Sequence, residues 1–151
     1  MMSKTKGPIP PIILLLSILC QIGLHYWLPV MKLIGEPWSH AGVVLIVIGV
    51  LVIIGPAAAF FRAATTIKPF QDSSALVVSG MYRYTRNPMY VGMVVVLLGV
   101  AVWIGDASPF LMPILFVPIL TARVIVHEEQ MLEERFGNEY RELKKSVRRW
   151  L

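Results

Sequence analysis

Four long runs of apolar residues alternate with polar stretches along this 151-residue chain. They lie at about residues 12–30, 41–61, 89–104 and 110–126. Helical runs of about 20 apolar residues match the thickness of a bilayer core, and a soluble domain has no need of them. The pattern therefore predicts a single all-α integral membrane domain, residues 1–151, with about four transmembrane helices.

The third and fourth runs predict a tight helical hairpin, because only the short turn at residues 105–109 separates them. Pro113 and Pro118 should bend the fourth helix, since proline removes a backbone hydrogen bond. Arg123 near its end either reaches the membrane surface or lines a cavity.

Three glycines recur at about seven-residue intervals in the second run, Gly42, Gly49 and Gly55. Small residues on one face let a neighbouring helix approach closely. The spacing predicts close helix packing, either within the chain or between two chains, so the oligomeric state stays open.

The segment at residues 127–149 is charged, with apolar residues recurring every three or four positions. Such spacing predicts one amphipathic helix lying at the membrane surface. Its apolar face comprises Leu132, Phe136, Tyr140, Leu143 and Val147. We expect its basic end to contact anionic lipid headgroups, through Lys144, Lys145, Arg148 and Arg149.

Composition and charge narrow the class further. Hydrophobic residues make up 56% of the chain, and the net charge of +5 comes from basic residues that flank apolar runs, so nucleic acid is not the expected partner. The single cysteine, Cys20, excludes a disulfide within the chain, and we predict no metal site. Basic residues concentrate before the first run, at Lys4 and Lys6, in residues 62–86, and after the fourth run, which predicts both termini on the cytoplasmic side.

A polar and aromatic segment at residues 80–92 precedes the third run. Asn87 followed by Pro88 predicts a helix start, because asparagine caps backbone amides and proline fits the first helical position. The positive end of that helix dipole would lie beside Arg83 and Arg86, an arrangement that suits a bound anion.

Glu128 and Glu129 stand at the cytoplasmic end of the fourth run. Carboxylates facing hydrocarbon are unfavourable, so at least one should face water or a cation. Adjacent helical residues point about 100° apart, so the two need not share a role.

The motif Gly-x-Tyr-x-x-x-Arg-Asn-Pro-x-Tyr-x-Gly at residues 80–92 occurs together with Glu-Glu-x-x-Leu-x-x-x-Phe-Gly-x-x-Tyr at residues 128–140. The pair resembles the isoprenylcysteine carboxyl methyltransferase family of membrane enzymes, which is related to the phosphatidylethanolamine methyltransferases. The resemblance implies S-adenosylmethionine bound at the cytoplasmic face between the two motifs. The implied cofactor-binding residues are Tyr82, Arg86, Asn87, Pro88, Tyr90, Gly92, Glu128 and Glu129.

The chemistry of that cofactor agrees with these residue types. Its carboxylate suits Arg86 or the helix amides, its ammonium suits Glu128 or Glu129, and its sulfonium suits an aromatic face. Asn87 stands where the family usually has histidine. This difference should leave the helix cap intact, because asparagine caps helices well.

The methyl acceptor is expected to be hydrophobic or lipid-like and to enter from the bilayer. A carboxylate acceptor needs no base and could pair with Arg123, whereas an amine would need a base, for which His127 is the nearest candidate. Two alternatives remain at this level: a sterol-reductase-like enzyme that uses NADPH, and a non-enzymatic lipid-binding or assembly protein.

Overall fold

The computed structural model describes residues 9–62, 76 and 78–151, and regular structure within these residues is helical. The helices are α1 (Pro10–Trp27), α2 (Ala41–Arg62), α3 (Pro88–Ile104), α4 (Leu111–Leu120), α5 (Val126–Phe136) and α6 (Asn138–Ser146). A π-helical turn, Thr121–Ile125, joins α4 to α5, and short 3-10 turns cover Trp38–His40, Gly80–Arg83 and Ser108–Phe110. The predicted all-α fold is confirmed. Lys4, Lys6 and the connection at residues 63–75 lie outside the described residues.

Three helical stretches are long and apolar enough to cross a membrane: Pro10–Trp27, Trp38–Ala58 and Ser108–Phe136. Helix α3 is shorter but equally apolar. The outer faces of α1 and α2 expose many large hydrophobic side chains, which suits contact with lipid. The chain is therefore an integral membrane protein, as its apolar runs predict.

The hairpin turn depends on one glycine. Gly105 ends α3 with φ +82°, and a Cβ built there would lie 2.2 Å from the carbonyl oxygen of Ile34. Backbone amides of Leu33 and Ile34 donate to the Gly105 carbonyl at 2.8 and 2.9 Å. Only glycine accommodates both the left-handed conformation and this close approach.

The prediction of one tail helix at residues 127–149 is wrong in its bounds. Helix α5 ends the stretch Ser108–Phe136, which follows α3 and which we call the fourth span. Gly137, with φ +53° and ψ −119°, separates α5 from α6. The amphipathic pattern persists in α6, whose Tyr140 is buried while Arg141 and Lys145 are exposed. The break lets α6 fold back against the rest of the protein.

Helices α2 and α3 pack backbone to backbone along a glycine seam. A Cβ built on Gly42 would lie 2.4 Å from the Gly99 carbonyl oxygen, and one built on Gly49 would lie 2.8 Å from that of Gly92. Gly55 has no atom within 4 Å of the same position. The close packing predicted for Gly42 and Gly49 therefore occurs within the chain.

This seam gives a stability prediction. Gly49→Val forces the two backbones apart, and we expect a loss of about 3 kcal/mol, which lowers the unfolding temperature in detergent by roughly 10 °C. Gly55→Val is the matched control, because its side chain would enter open space. Equal melting temperatures for the two variants in thermal scans would contradict the packing.

Polar side chains hold α1 against the hairpin. The buried amide nitrogen of Gln21 donates to the carbonyl oxygens of Leu97 and Pro109, at 2.9 and 3.1 Å. His25 pairs with the buried Asp106 in the hairpin turn. Hydrogen bonds of this kind fix helix positions where the apolar surroundings offer no competing partners.

Candidate active site

The site forms where α3 begins. Pro88 occupies the first helical position, as predicted, and Asn87 is the N-cap residue. The Asn87 side chain does not cap the helix, which corrects the prediction: its Nδ2 donates to the Arg149 carbonyl oxygen at 2.9 Å. Thr85 Oγ1 accepts the backbone N–H of Asn87 at 3.2 Å, which holds the residues just before the helix. The Asn87 side chain thus connects the start of α3 to the C-terminal part of the chain.

Residues 147–150, which we call the strap, follow α6 and run beside the segment before α3. The Arg86 amide donates to the Arg148 carbonyl at 2.8 Å, and Thr85 Oγ1 donates to the Arg149 carbonyl at 3.1 Å. The Trp150 indole N–H donates to Thr121 Oγ1 in the π-helical turn at 3.2 Å. The strap is therefore fixed on one side to the segment before α3, and on the other side to the π-helical turn.

Glu129 lies between two guanidinium groups. Arg149 grips its carboxylate with two hydrogen bonds, Nε to Oε1 at 2.8 Å and Nη2 to Oε2 at 2.7 Å. Arg86 Nη1 approaches Oε1 at 3.0 Å. Both Arg86 and Glu129 are about nine-tenths buried, whereas Arg149 is more open. The hydrogen bonds to Glu129 raise the pKa of Arg149.

Arg86 is only partly satisfied by these contacts. Its Nη1 also lies 3.5 Å from the hydroxyl oxygen of Tyr140, whose pKa is raised by burial and by the nearby Glu129 carboxylate. Its Nε is buried and has no hydrogen-bond partner among the described residues. A buried, unpaired donor on a cation is unfavourable and is suited to an anionic ligand.

Glu128 occupies a different environment from its neighbour. It accepts a hydrogen bond from the Tyr90 hydroxyl, which lies 2.8 and 2.9 Å from its two oxygens, and the described residues provide it with no cation. Tyr82 is buried close by, and burial together with the Glu128 charge raises the pKa of Tyr82. The charge of Glu129 is balanced by two guanidinium groups, whereas Glu128 contacts a neutral hydroxyl donor.

The fold brings together Tyr82, Arg86, Tyr90, Glu128 and Glu129 from the sequence-predicted set. Gly92 does not join them: it faces α2, where a Cβ would lie 2.8 Å from the Gly49 carbonyl oxygen, so its small size serves helix packing. The cofactor contact expected at Gly92 stays a prediction.

Arg123 and His127 lie on exposed positions of the fourth span and its continuation. Neither makes a hydrogen bond or an ion pair within the described ranges. Their roles in acceptor binding and proton transfer stay predictions.

The basic residues predicted to contact lipid phosphates are mostly engaged within the protein. Lys144 pairs with Glu133 at 2.9 Å, Lys145 pairs with Glu142 at 2.7 Å, and Arg149 pairs with Glu129. The side chain of Arg148 is exposed.

Sequence reasoning missed Thr85, Tyr140, Arg149 and Trp150 as parts of this site. Tyr140 fits the apolar face of a surface helix, and Arg149 fits a basic tail, so local pattern offered a sufficient explanation for each. No signal in the sequence pairs Arg149 with Glu129, because the contact joins residues 20 positions apart across a helix break.

Comparison with known proteins bears on this geometry. A model of the phospholipid methyltransferase family matches residues 38–139. An uncharacterized protein of Haemophilus influenzae is 40% identical over 63 residues, which cover 42% of this chain and all of that protein.

A structural match is to the eukaryotic intramembrane Ras methyltransferase, an isoprenylcysteine carboxyl methyltransferase. It has a TM-score of 0.68 and 22% sequence identity, and it covers 91% of this chain. The chain spans 50% of the length of that protein. A likeness at this identity is one of fold.

Proposed function

The chain belongs to the phospholipid methyltransferase family, and from that premise we propose that it is an S-adenosylmethionine-dependent methyltransferase acting on a membrane-embedded acceptor. The observation that carries the proposal is the clustering of Arg86, Glu129, Glu128 and Tyr90 at the start of α3, with Arg86 Nη1 3.0 Å from Glu129 Oε1. Opposite charges gathered at a helix N-terminus suit a zwitterionic ligand.

The residues present fit that cofactor. The unpaired Nε of Arg86 suits its carboxylate, and this donor is already buried. Glu128 suits its ammonium, because Glu129 is already satisfied by two guanidinium groups whereas Glu128 has only the Tyr90 hydroxyl. The aromatic rings of Tyr82 and Tyr90, both buried beside Glu128, suit a sulfonium cation.

When bound, S-adenosylmethionine supplies an activated methyl group. The residues of this chain hold and orient the two reactants, since methyl transfer needs alignment of acceptor, methyl and sulfur more than proton chemistry. Burial of Tyr82, Tyr90 and Glu129 excludes water from the same region, which strengthens every electrostatic contact there.

The acceptor that we propose is hydrophobic or lipid-like and enters from the bilayer, while the cofactor enters from the cytoplasm. Isoprenylcysteine-like carboxylates and lipid amines are the two acceptor classes. Arg123 is our candidate to orient a carboxylate, and His127 is our candidate to take a proton from an amine. Both side chains are exposed, Arg123 in the π-helical turn and His127 at the start of α5.

Ligand titration tests the proposal against its alternatives. We expect detergent-solubilised protein to bind S-adenosylmethionine and not NADPH, and to transfer isotopically labelled methyl to a lipid-like acceptor in a screen of both acceptor classes. Binding of NADPH alone would instead support a reductase of the sterol type. Binding of neither compound would contradict both enzymatic readings and leave a lipid-binding or assembly protein.

A further inference from the structure

We propose that Arg149 is a positioning residue that keeps one edge of Arg86 available for the carboxylate of a bound ligand. The inference rests on the proposed function, because it concerns how the same site recognises S-adenosylmethionine. It assigns a role to the strap, which otherwise would be only a structural tether.

The two guanidinium groups compete for one carboxylate. Arg149 binds both oxygens of Glu129 in a fork, whereas Arg86 reaches only Oε1, through Nη1. A guanidinium binds a carboxylate most strongly when two parallel N–H groups meet its two oxygens. Because Arg149 already occupies both oxygens of Glu129, Arg86 makes only one contact with that carboxylate.

That single contact leaves the other side of Arg86 unused. Its Nε is buried without a hydrogen-bond partner, and Nε shares an edge with Nη2, for which the described residues supply no acceptor. This edge has the planar two-donor geometry that matches a carboxylate. If Arg149 were absent, the Glu129 carboxylate would draw Arg86 into a two-point pair, and the edge would be lost to the ligand.

The strap gives Arg149 a defined position. Main-chain carbonyls of Arg148 and Arg149 accept hydrogen bonds from Arg86, Thr85 and Asn87. On the other side, the Trp150 indole is bonded to Thr121 and packs against the buried core around Tyr90. Arg149 is thus held between two anchored neighbours and points its fork at Glu129.

Two nucleoside probes separate a positioning role from a structural one. S-adenosylhomocysteine carries the amino-acid carboxylate, and methylthioadenosine lacks the whole amino-acid group. We expect Arg149→Gln to weaken S-adenosylhomocysteine binding by about tenfold or more and to change methylthioadenosine binding by less than about twofold. Isothermal titration on folded protein, with a thermal scan of each sample, provides the measurement.

Arg141→Gln is the matched control, because it removes another arginine–glutamate pair, in which the exposed Arg141 contacts the half-buried Glu133, and it should change neither affinity. Arg149→Lys keeps the charge but loses the fork, so a loss of about threefold for S-adenosylhomocysteine alone is expected. It carries the same comparison if Arg149→Gln does not fold.

Equal weakening of both probes in the Arg149 variants would overturn the positioning role and leave the proposed function standing, as would affinities unchanged from wild type. Wild-type protein that binds neither S-adenosylmethionine nor S-adenosylhomocysteine would overturn the proposed function, and the positioning role with it.

Discussion

Replacing Glu128 with glutamine is expected to weaken S-adenosylmethionine binding by about 100-fold and to lower methyl transfer at subsaturating cofactor in proportion. Glutamine keeps the size and can still accept the Tyr90 hydrogen bond, so the fold should survive. It removes the negative charge that we propose to pair with the cofactor ammonium, and loss of one partner of a desolvated charge pair costs about 2–5 kcal/mol. Titration of the detergent-solubilised variant measures the change.

Glu134→Gln is the control for this prediction, since that side chain lies exposed on the same helix, α5. Unchanged cofactor affinity in Glu128→Gln would transfer the ammonium contact to another group and contradict the division of roles between the two glutamates.

Replacing Arg86 with glutamine is expected to reduce both stability and cofactor affinity. Glu129 would keep only Arg149, and removal of one partner from a buried ion pair costs about 3–5 kcal/mol, here toward the lower end because Arg149 remains. The cofactor would also lose the donor for its carboxylate, worth about 1.5–3 kcal/mol, or roughly 10- to 150-fold in affinity. Thermal scans and titration of the same samples separate the two effects.

Arg141→Gln again serves as the control, with small changes expected in both measurements. A variant at Arg86 that loses stability but binds S-adenosylmethionine as tightly as wild type would show that Arg86 has only a structural role.

The features that sequence predicted well are those set by local pattern. Apolar run length located α1, α2 and α3 within about three residues, and the Asn87-Pro88 pair located the start of α3. Gly42, Gly49 and Gly55 were all predicted to pack closely, because small residues in a membrane helix have few other uses. Gly42 and Gly49 do so against α3, whereas a Cβ built on Gly55 would meet no atom of the described residues within 4 Å. Each of these conclusions needs only neighbours along the chain.

The features that sequence missed are set by contacts across the fold. Gly137 can stand inside a helix or end one, and here it separates α5 from α6, whose Tyr140 is buried near Arg86. Asn87 has the right chemistry to cap α3, yet its Nδ2 donates to the Arg149 carbonyl of the strap and its side chain makes no cap hydrogen bond. Arg149 illustrates the same point, because its contact with Glu129 forms only when the chain after Gly137 folds back against α5.

The π-helical turn at Thr121–Ile125 sets the direction in which the glutamate pair points. A wide turn holds about one residue more than an α-helical turn, and each helical residue advances the side chains by about 100°. The turn therefore rotates the side chains of α5 about the helix axis relative to those of α4. Helix α4 can thus direct apolar side chains to the lipid, while on α5 Glu128 faces Tyr90 and Glu129 faces Arg86. A one-residue change in the length of this turn would rotate the carboxylates away from their partners without altering any residue of the site.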